Sequence, residues 1–365
     1  MKKLWSLPVF VLLVALAIEH AGALPRFASR TGAKCQSCHV NPSGGGMRLA
    51  FGQQYGRETL PVPTWSDEFA LDDFSTKLSE AVSVGADVRT LYYYLQNPAG
   101  DRNAFFEMQG NLYFNLKLAK KVSLYIDKEL YSGVEIFGLL NILPGNGFLK
   151  IGKFIPNYGM KVDDHRTFIR QYTEFSPETS APFYTGGEIG FSPGPVTITG
   201  GVYNSLSGTA FAPSIPNQKA FLGRAEGIFK ASDNINVGVG ANVFYKNVAG
   251  AKSTMYGGFG SVSYKDLTLM AETDLVKRTT VGDTTGFILY VEADYVVTPG
   301  LDLKFIYDFY DPDKDVKSGA MSRYSFGFEF FPISGVEVRP LYRILHEDPV
   351  DVKNNEFHVI VHFYL

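Results

Sequence analysis

Residues 301–310 read L-D-L-K-F-I-Y-D-F-Y, and this stretch decides the fold. Its odd-numbered positions are all apolar or aromatic, whereas Asp302 and Lys304 stand on the opposite face. Successive side chains of a β-strand point to opposite faces, so a period of two indicates a strand with one apolar and one polar face. Residues 356–365 repeat the pattern. Alternation over about ten residues is the length that a tilted strand needs to cross a bilayer.

The same alternation recurs from about Glu80 onward and predicts an all-β fold, a transmembrane antiparallel β-barrel of about sixteen strands. Every second connection is a short turn rich in Gly, Pro, Asn and Asp, and the others are mostly longer, notably 157–183 and 347–354. Bacterial barrels have short periplasmic turns and longer outer loops, so an even count predicts that both termini are periplasmic. The split at Ser132–Gly133 carries the weakest turn signal, and without it the count would be fourteen.

A soluble β-sandwich would also show alternating strands. The predicted strands are too long and too many for a compact sandwich, and their apolar face is persistently aromatic. The chain of 365 residues contains 37 Gly, 21 Tyr and 29 Phe, which suits strands that alternate between lipid and water. A formal net charge of -3 excludes the basic balance of a nucleic-acid-binding protein. The expected surroundings are therefore outer-membrane lipid, and no nucleic acid.

The first residues predict export. Residues 1–23 read as a secretory signal peptide, in which two lysines precede a short apolar run and an A-x-A cleavage site follows at residues 21–23. Residues 24–73 are rich in Pro, Gly and polar residues and form a second segment, before the barrel at 74–365. Domain organisation is thus a signal peptide, a small segment and a barrel.

Cys35, Cys38 and His39 form the run C-Q-S-C-H, which contains both cysteines of the chain. This is the attachment signal for a c-type haem, in which both thiols form thioethers and the histidine is the proximal iron ligand. A structural zinc site needs four ligands, and no second cysteine pair exists. A thioredoxin-like pair would sit in a βαβ unit, which this sequence lacks. The sequence therefore predicts one covalent haem c, and a segment of about fifty residues is too small to bury it without walls from the barrel.

The sixth iron ligand stays open at this point. Met47 follows His39 by eight residues, across three glycines, and is the nearest candidate. His358 and His362 are its rivals, because both stand on the polar face of the last predicted strand. A methionine would raise the reduction potential relative to a second histidine. A vacant sixth position would indicate chemistry at the iron instead.

The longest outer connection offers a weak metal site. Asp163, Asp164 and His165 lie together in it, and Fe(II) accepts carboxylate and imidazole ligands. The alternatives are a solvated polar loop, or a loop that folds inward and narrows the pore.

Residues 24–39, L-P-R-F-A-S-R-T-G-A-K-C-Q-S-C-H, resemble the start of the fused cytochrome–porin family. Members are outer-membrane monohaem c-type cytochromes with a C-terminal β-barrel, and the pattern P-x-F-A-x-x-T-G-x-x-C-x-x-C-H is present in full. The family includes outer-membrane iron oxidases. The resemblance therefore implies transfer of single electrons between an extracellular donor or acceptor, Fe(II) among them, and a periplasmic c-type cytochrome. The barrel agrees in architecture only, and the chain is shorter than typical iron-oxidising members.

The function predicted from the sequence is an outer-membrane electron conduit, which as an enzyme would be an Fe(II):cytochrome c oxidoreductase. One alternative is a passive porin whose haem segment is sensory or structural. Another is a haem-dependent small-molecule reductase or peroxidase with an open iron site. The sequence does not set the direction of electron flow, because a conduit conducts both ways.

Overall fold

The computed structural model describes residues 26–66, 75–176, 182–207, 217–279 and 282–365. The predicted signal peptide, residues 1–23, lies outside the described residues. Among the described residues, no helix has the length and apolar character to cross a membrane.

Sixteen antiparallel strands form a closed barrel, in which each strand pairs with its sequence neighbours and the last pairs with the first. The strands are β1 (Val82–Leu95), β2 (Arg102–Ala119), β3 (Val122–Glu129), β4 (Val134–Leu143), β5 (Gly147–Phe154), β6 (Tyr184–Phe191), β7 (Val196–Asn204), β8 (Lys219–Ser232), β9 (Ile235–Val248), β10 (Ala251–Tyr264), β11 (Leu267–Thr279), β12 (Asp283–Thr298), β13 (Leu301–Asp311), β14 (Met321–Phe330), β15 (Val336–Glu347) and β16 (Glu356–Tyr364). Ser132–Gly133 separates β3 from β4, so sixteen strands are confirmed and fourteen is wrong.

The alternation read from the sequence is the alternation of the barrel wall. On β13, Asp302 and Lys304 are each 4% exposed and point into the lumen. Leu303 and Phe305 are 50% and 43% exposed and point outward. Other strands repeat this, so the outer surface is a band of apolar and aromatic side chains while the lumen is lined by charges. That arrangement is the one a bilayer requires of a barrel.

The two ends of the barrel differ. Tight turns connect β2 to β3, β4 to β5 and every second pair after them, and they share one end with the start of β1 and the end of β16. The longer connections, including those from β5 to β6, from β13 to β14 and from β15 to β16, join the strands at the other end. We call these the turn end and the loop end.

Residues 26–48 lie inside the lumen at the turn end, and residues 49–66 lie at its rim, where Phe51 and Trp65 are exposed. They form α1 (Arg26–Thr31), α2 (Cys35–Cys38), α3 (Ala50–Gln54), a π-helical turn (Tyr55–Thr59) and α4 (Pro63–Ser66). Ion pairs fix this segment to the wall: Arg26 to Glu329 at 2.5 Å, and Arg30 to Asp302 at 2.5 Å. Farther along, the Ser43 hydroxyl accepts a hydrogen bond from Lys150 at 2.9 Å. The predicted haem segment therefore uses the wall charges as its docking surface.

The long connection between β5 and β6 folds inward from the loop end and contains α5 (Phe168–Gln171). The backbone N–H of Phe168 donates to Asp308 Oδ1 at 2.9 Å, and Lys246 pairs with Glu174 at 2.6 Å. Tyr172 stacks on Tyr310 of the wall with ring centroids 3.8 Å apart. We call residues 155–176 the inward loop. Two segments thus fill the lumen from opposite ends. For the inward loop, this is the alternative in which the loop folds inward and narrows the pore.

The outward face of β13 yields a test of membrane embedding. Phe305→Arg places a charge near mid-strand on the apolar band, and such a charge costs about 2–4 kcal/mol at the bilayer midplane. Urea unfolding in lipid vesicles measures the loss. Val316→Arg, on the exposed loop between β13 and β14, is the matched control and should change stability by less than about 0.5 kcal/mol. Equal effects of the two substitutions would contradict a lipid-facing position for Phe305.

Candidate cofactor site

The C-Q-S-C-H run forms a single helical turn inside the lumen. Residues three apart on a helix share a face, so the turn brings the thiols of Cys35 and Cys38 to the same side. The backbone N–H of His39 closes the turn by donating to the Cys35 carbonyl at 2.8 Å. Both thiols are free and partly buried, and burial raises the pKa of Cys35 to about 12. Both cysteines and His39 line one cavity of about 210 Å³, which we call the thiol cavity.

Three consecutive glycines lead the chain away from this turn. Gly44, Gly45 and Gly46 have φ angles of +83°, +77° and +66°, the left-handed region that favours glycine. A Cβ atom on Gly44 would lie 2.8 Å from the Cys35 sulfur, whereas one on Gly45 would meet nothing within 4 Å. The glycine-rich stretch noted in the sequence therefore allows a tight return past Cys35.

His39 is oriented as an iron ligand would need to be. Its Nδ1 lies 3.3 Å from the Gly46 carbonyl oxygen, and since a carbonyl only accepts, Nδ1 carries the proton. The Nε2 lone pair is then free, in a ring that lines the thiol cavity. Burial and the neighbouring Arg48 lower the pKa of His39 to about 4, so the imidazole is neutral near pH 7. A backbone acceptor on one ring nitrogen is the usual support for a histidine that binds a metal through the other.

The barrel and the inward loop supply the other walls. Met270, Phe331 and Tyr364 of the wall region line the thiol cavity, together with Lys161 and Asp163 of the inward loop. A second cavity of about 350 Å³ adjoins it toward the loop end and shares Gly44–Gly46 and residues 161–163 as lining. Taken together, the two spaces fall in the range of about 300–1,000 Å³ typical of cofactor and ligand pockets.

The residues present therefore fit a haem c. Two thiols on one turn, a neutral imidazole with a free Nε2 and apolar wall side chains line a single cavity. Arg48 faces the same space with a buried Nη1 that has no hydrogen-bond partner in the part of the chain described. Such a cation suits the carboxylates that a haem carries at its edge.

Met47 is not brought into this cavity. It is 1% exposed, and its backbone N–H donates to the Tyr125 hydroxyl at 2.9 Å. Its terminal methyl group approaches Gly85 of the wall, and its carbonyl pairs with Val40, next to His39. The structure thus places Met47 beside His39 and packed against the wall, the alternative to a ligand role.

The two histidines of β16 differ in their relation to the thiol cavity. His362 lines the thiol cavity, but its Nδ1 lies 2.8 Å from Glu337 and its Nε2 lies 3.0 Å from Asp87. His358 stands near the start of β16, toward the loop end, and does not line the cavity, although it shares the polar face with His362 as predicted. His362 is consequently the only one of the three predicted sixth ligands that reaches the cavity among the described residues, and carboxylates engage both its nitrogens.

The three residues predicted as a weak Fe(II) site do not converge on a common point, because both aspartates pair with arginines. Asp163 binds Arg339 at 2.9 Å, and Asp164 forms a close ion pair with Arg343. His165 lines the second cavity, and burial lowers its pKa to about 3. The described part of the chain contains no group of three His, Cys, Asp or Glu residues placed to hold a metal ion. The structure uses these aspartates to tether the inward loop.

Sequence reasoning missed the residues that the inward loop adds to the site. Lys161 lines both cavities and Arg170 lines the second, and neither was singled out. The only sequence signal for these residues was the number of cationic side chains in the loop. Their spacing follows no pattern that would indicate a site.

Comparisons with known proteins agree with this architecture. No protein-family model and no curated protein sequence matches the chain. OmpT of the Vibrio cholerae outer membrane matches at a TM-score of 0.57 with 13% identity, covering 80% of this chain and 100% of OmpT. An anion-selective porin from Comamonas acidovorans matches at 0.56 with 12% identity over 78% and 99% of the two chains. A BenF-like porin from Pseudomonas fluorescens Pf-5 matches at 0.50 with 13% identity over 79% and 100%.

At these identities the likeness concerns the fold alone. The chain has the fold of an outer-membrane porin: a closed, antiparallel barrel of sixteen strands. The match to OmpT leaves about a fifth of this chain uncovered. The lumen of this chain also holds the C-Q-S-C-H turn described above.

The tether at Asp164 gives a testable prediction. Asp164→Ala leaves Arg343, which is fully buried, without its closest partner, and breaking a buried ion pair costs about 3–5 kcal/mol. The inward loop should then open at least about a hundredfold more often. Trypsin cleavage after Lys161, Arg166 and Arg170 reports this opening. Asp351→Ala, which removes an exposed partner of His346, is the control and should leave cleavage unchanged.

The same tether should resist acid. Although burial opposes its ionisation, Arg343 holds the pKa of Asp164 well below its ordinary value. A carboxylate with a lowered pKa contributes its stabilisation at every pH above about 4 and loses it only as the pH falls toward the lowered value. Loop cleavage by an acid-active protease should therefore stay slow at pH 4, and rapid cleavage there would contradict the assigned ion pair.

Proposed function

We propose that this protein is an electron conduit of the bacterial outer membrane, with one haem c joined to Cys35 and Cys38 and bound by His39 inside the barrel. One observation carries the proposal above all others. Both thiols and the imidazole line one cavity within the lumen, and the barrel and the inward loop supply its remaining walls. A haem c bound there supplies a one-electron iron couple.

Residues of the chain would hold, orient and cover this group. Cys35 and Cys38 hold the group in place, and His39 is held by Gly46 so that Nε2 is the coordinating atom. Phe27 and Phe331, with ring centroids 6.4 Å apart, place apolar surface beside the space and restrict water there. Arg48 supplies positive charge at its edge.

The geometry of the two ends supports transfer across the membrane. Short turns and both barrel termini share one end, which in bacterial barrels is the periplasmic one. The thiol cavity then lies in the periplasmic half, where a periplasmic c-type cytochrome can approach, while the long loops face an extracellular donor or acceptor. An apolar band of about 25 Å would separate donor from acceptor if the cofactor lay outside the lumen.

We extend the proposal to membership of the fused cytochrome–porin family, on the strength of the pattern within residues 24–39. Fe(II) is then a candidate donor, and the protein would act as an Fe(II):cytochrome c oxidoreductase. The iron would be a substrate at the loop end, not a resident ion.

A passive porin is the second candidate function, and the porin fold favours it. Such a protein would conduct ions and small solutes with or without a cofactor. Its lumen, however, is occupied from the turn end by residues 26–48 and from the loop end by the inward loop. Those two segments favour a conduit for electrons over a conduit for solutes.

Removing one thiol separates the two functions. Cys35→Ala should abolish covalent haem staining and electron transfer while the barrel still inserts, because the thioether at that position cannot form. The measurement uses proteoliposomes with Fe(II) outside and oxidised cytochrome c inside. Ser37→Ala, in the same turn and exposed, is the matched control. If transfer survived in Cys35→Ala, the conduit would be wrong, and unchanged conductance in both variants would favour the porin.

The glycine return offers a finer test. Gly44→Ala and Gly45→Ala both force a side chain into the left-handed region, at a similar cost of about 1–2 kcal/mol. Only the Gly44 variant also crowds the Cys35 sulfur. Haem per folded barrel should fall at least twofold further in Gly44→Ala, measured as the pyridine haemochrome. Equal haem content in the two variants would show that the thiol position does not matter for attachment.

A further inference from the structure

The second cavity has more negative than positive side chains in its lining. The carboxylates are those of Asp87, Asp127, Glu129, Glu135 and Asp163, and the cations are Arg89, Lys161 and Arg170. Two of the carboxylates are ion-paired: Asp87 contacts Arg89 at 3.2 Å, and Asp163 contacts Arg339 at 2.9 Å. The other three stand on the neighbouring strands β3 and β4. We call Asp127, Glu129 and Glu135 the acidic wall.

The acidic wall receives hydrogen bonds from neutral donors only, within the part of the chain that the structure describes. Backbone N–H groups donate to Glu129 at 3.1 Å and to Glu135 at 2.7 Å. The side-chain amide of Asn111 donates to Asp127 at 2.5 Å. Asp127 and Glu135 also stand directly opposite each other in the β3–β4 pairing, and like charges in that position are unfavourable. The negative charge of this wall is therefore not compensated by its hydrogen bonds.

The cations of the cavity do not neutralise the acidic wall either. Arg89 is engaged by Asp87. Lys161 and Arg170 belong to the inward loop, and across the described ranges neither forms an ion pair with a carboxylate of the acidic wall. Other lumen carboxylates do have such a partner, as Glu188 has in Lys150 at 2.9 Å. The acidic wall is thus an exception in this lumen.

Two amide oxygens beside the acidic wall also lack donors. Asn111 is 7% exposed, and although its amide nitrogen serves Asp127, its Oδ1 has no hydrogen-bond partner among the described residues. Gln109, two residues earlier on β2, has an Oε1 in the same condition. Both side chains line the cavity. Buried acceptors are normally satisfied, so these oxygens indicate a ligand that donates hydrogen bonds.

The rest of the lining favours an organic ligand over a metal ion. The described residues include no group of three His, Cys, Asp or Glu placed to hold a metal. Met108, Ile155 and Phe183 supply apolar surface to the same cavity. Tyr131, in the connection between β3 and β4 at the loop end, also lines it and is 66% exposed, so the cavity extends to that end of the barrel. A ligand with a cationic head and an apolar body matches such a lining.

We infer that the second cavity binds an organic cation that carries a protonated amine and enters from the loop end. An ammonium group has three N–H donors and no acceptor, which matches a wall made of carboxylate and amide oxygens. Hydrogen bonds from an ammonium to carboxylates are charge-assisted and therefore strong. The acidic wall, Gln109 and Asn111 do not line the thiol cavity, so this site does not depend on a haem.

The test is isothermal titration calorimetry on the full chain in detergent, with benzylammonium chloride as the probe. Benzyl alcohol and sodium benzoate are its neutral and anionic analogues, and only benzylammonium should bind saturably. Asp127→Asn and Glu135→Gln keep an acceptor at each position but remove the charge, so each should weaken benzylammonium at least about tenfold. Asp315→Asn, which removes an exposed loop carboxylate, is the matched control and should leave binding unchanged.

A substitution of the opposite sign keeps the acidic wall intact. Lys161→Met removes a cation from the same cavity and should strengthen benzylammonium binding at least about twofold, because a repulsive charge is lost. Binding of benzoate in place of benzylammonium would overturn the inference, and so would equal affinities in Asp127→Asn, Glu135→Gln and Asp315→Asn. Calcium chloride serves as the metal probe: saturable calcium binding without benzylammonium binding would replace the organic cation with a metal ion.

Discussion

Closure of the sheet is the constraint on which the molecule depends. Hydrocarbon offers no hydrogen bonds, so every backbone N–H and C=O must find a partner on a neighbouring strand, and the pairing of β16 with β1 leaves no edge. Strict alternation follows from closure: residues such as Phe305 face lipid while Lys304 faces the lumen. The wall thereby acquires an inner surface of charges, which is what the two lumen segments bind.

The charged side chains of the inner wall form ion pairs with the two segments that fill the lumen. Arg26 and Arg30 bind wall carboxylates at the turn end, and Arg339 and Arg343 hold the inward loop from the opposite side. Breaking such a pair leaves a buried charge alone, so each segment is held with little freedom. The space left between the two segments is the space that the thiols line, and its shape is therefore set by the ion pairs above and below it.

The strands and the helical turn of the C-Q-S-C-H run follow local sequence order, and the strands were predictable from it. A period of two and a C-x-x-C-H run are visible within ten residues. The contents of the cavity were not predictable, because they depend on register between distant segments. His358 and His362 share a face of β16, yet only His362 reaches the cavity. Asp163 and Asp164 had the chemistry of metal ligands, but their arginine partners lie about 180 residues away and meet them only when the loop folds inward.

The position of Cys35 and Cys38 inside the barrel bears on the order of assembly. Both thiols are partly buried inside a continuous wall, on the ion-paired segment that fills the turn end. If haem c is joined to these thiols as proposed, joining it in the periplasm before β1 pairs with β16 would give the attaching enzyme open access to them. The cofactor would then travel into the bilayer with its host, and maturation would precede membrane integration.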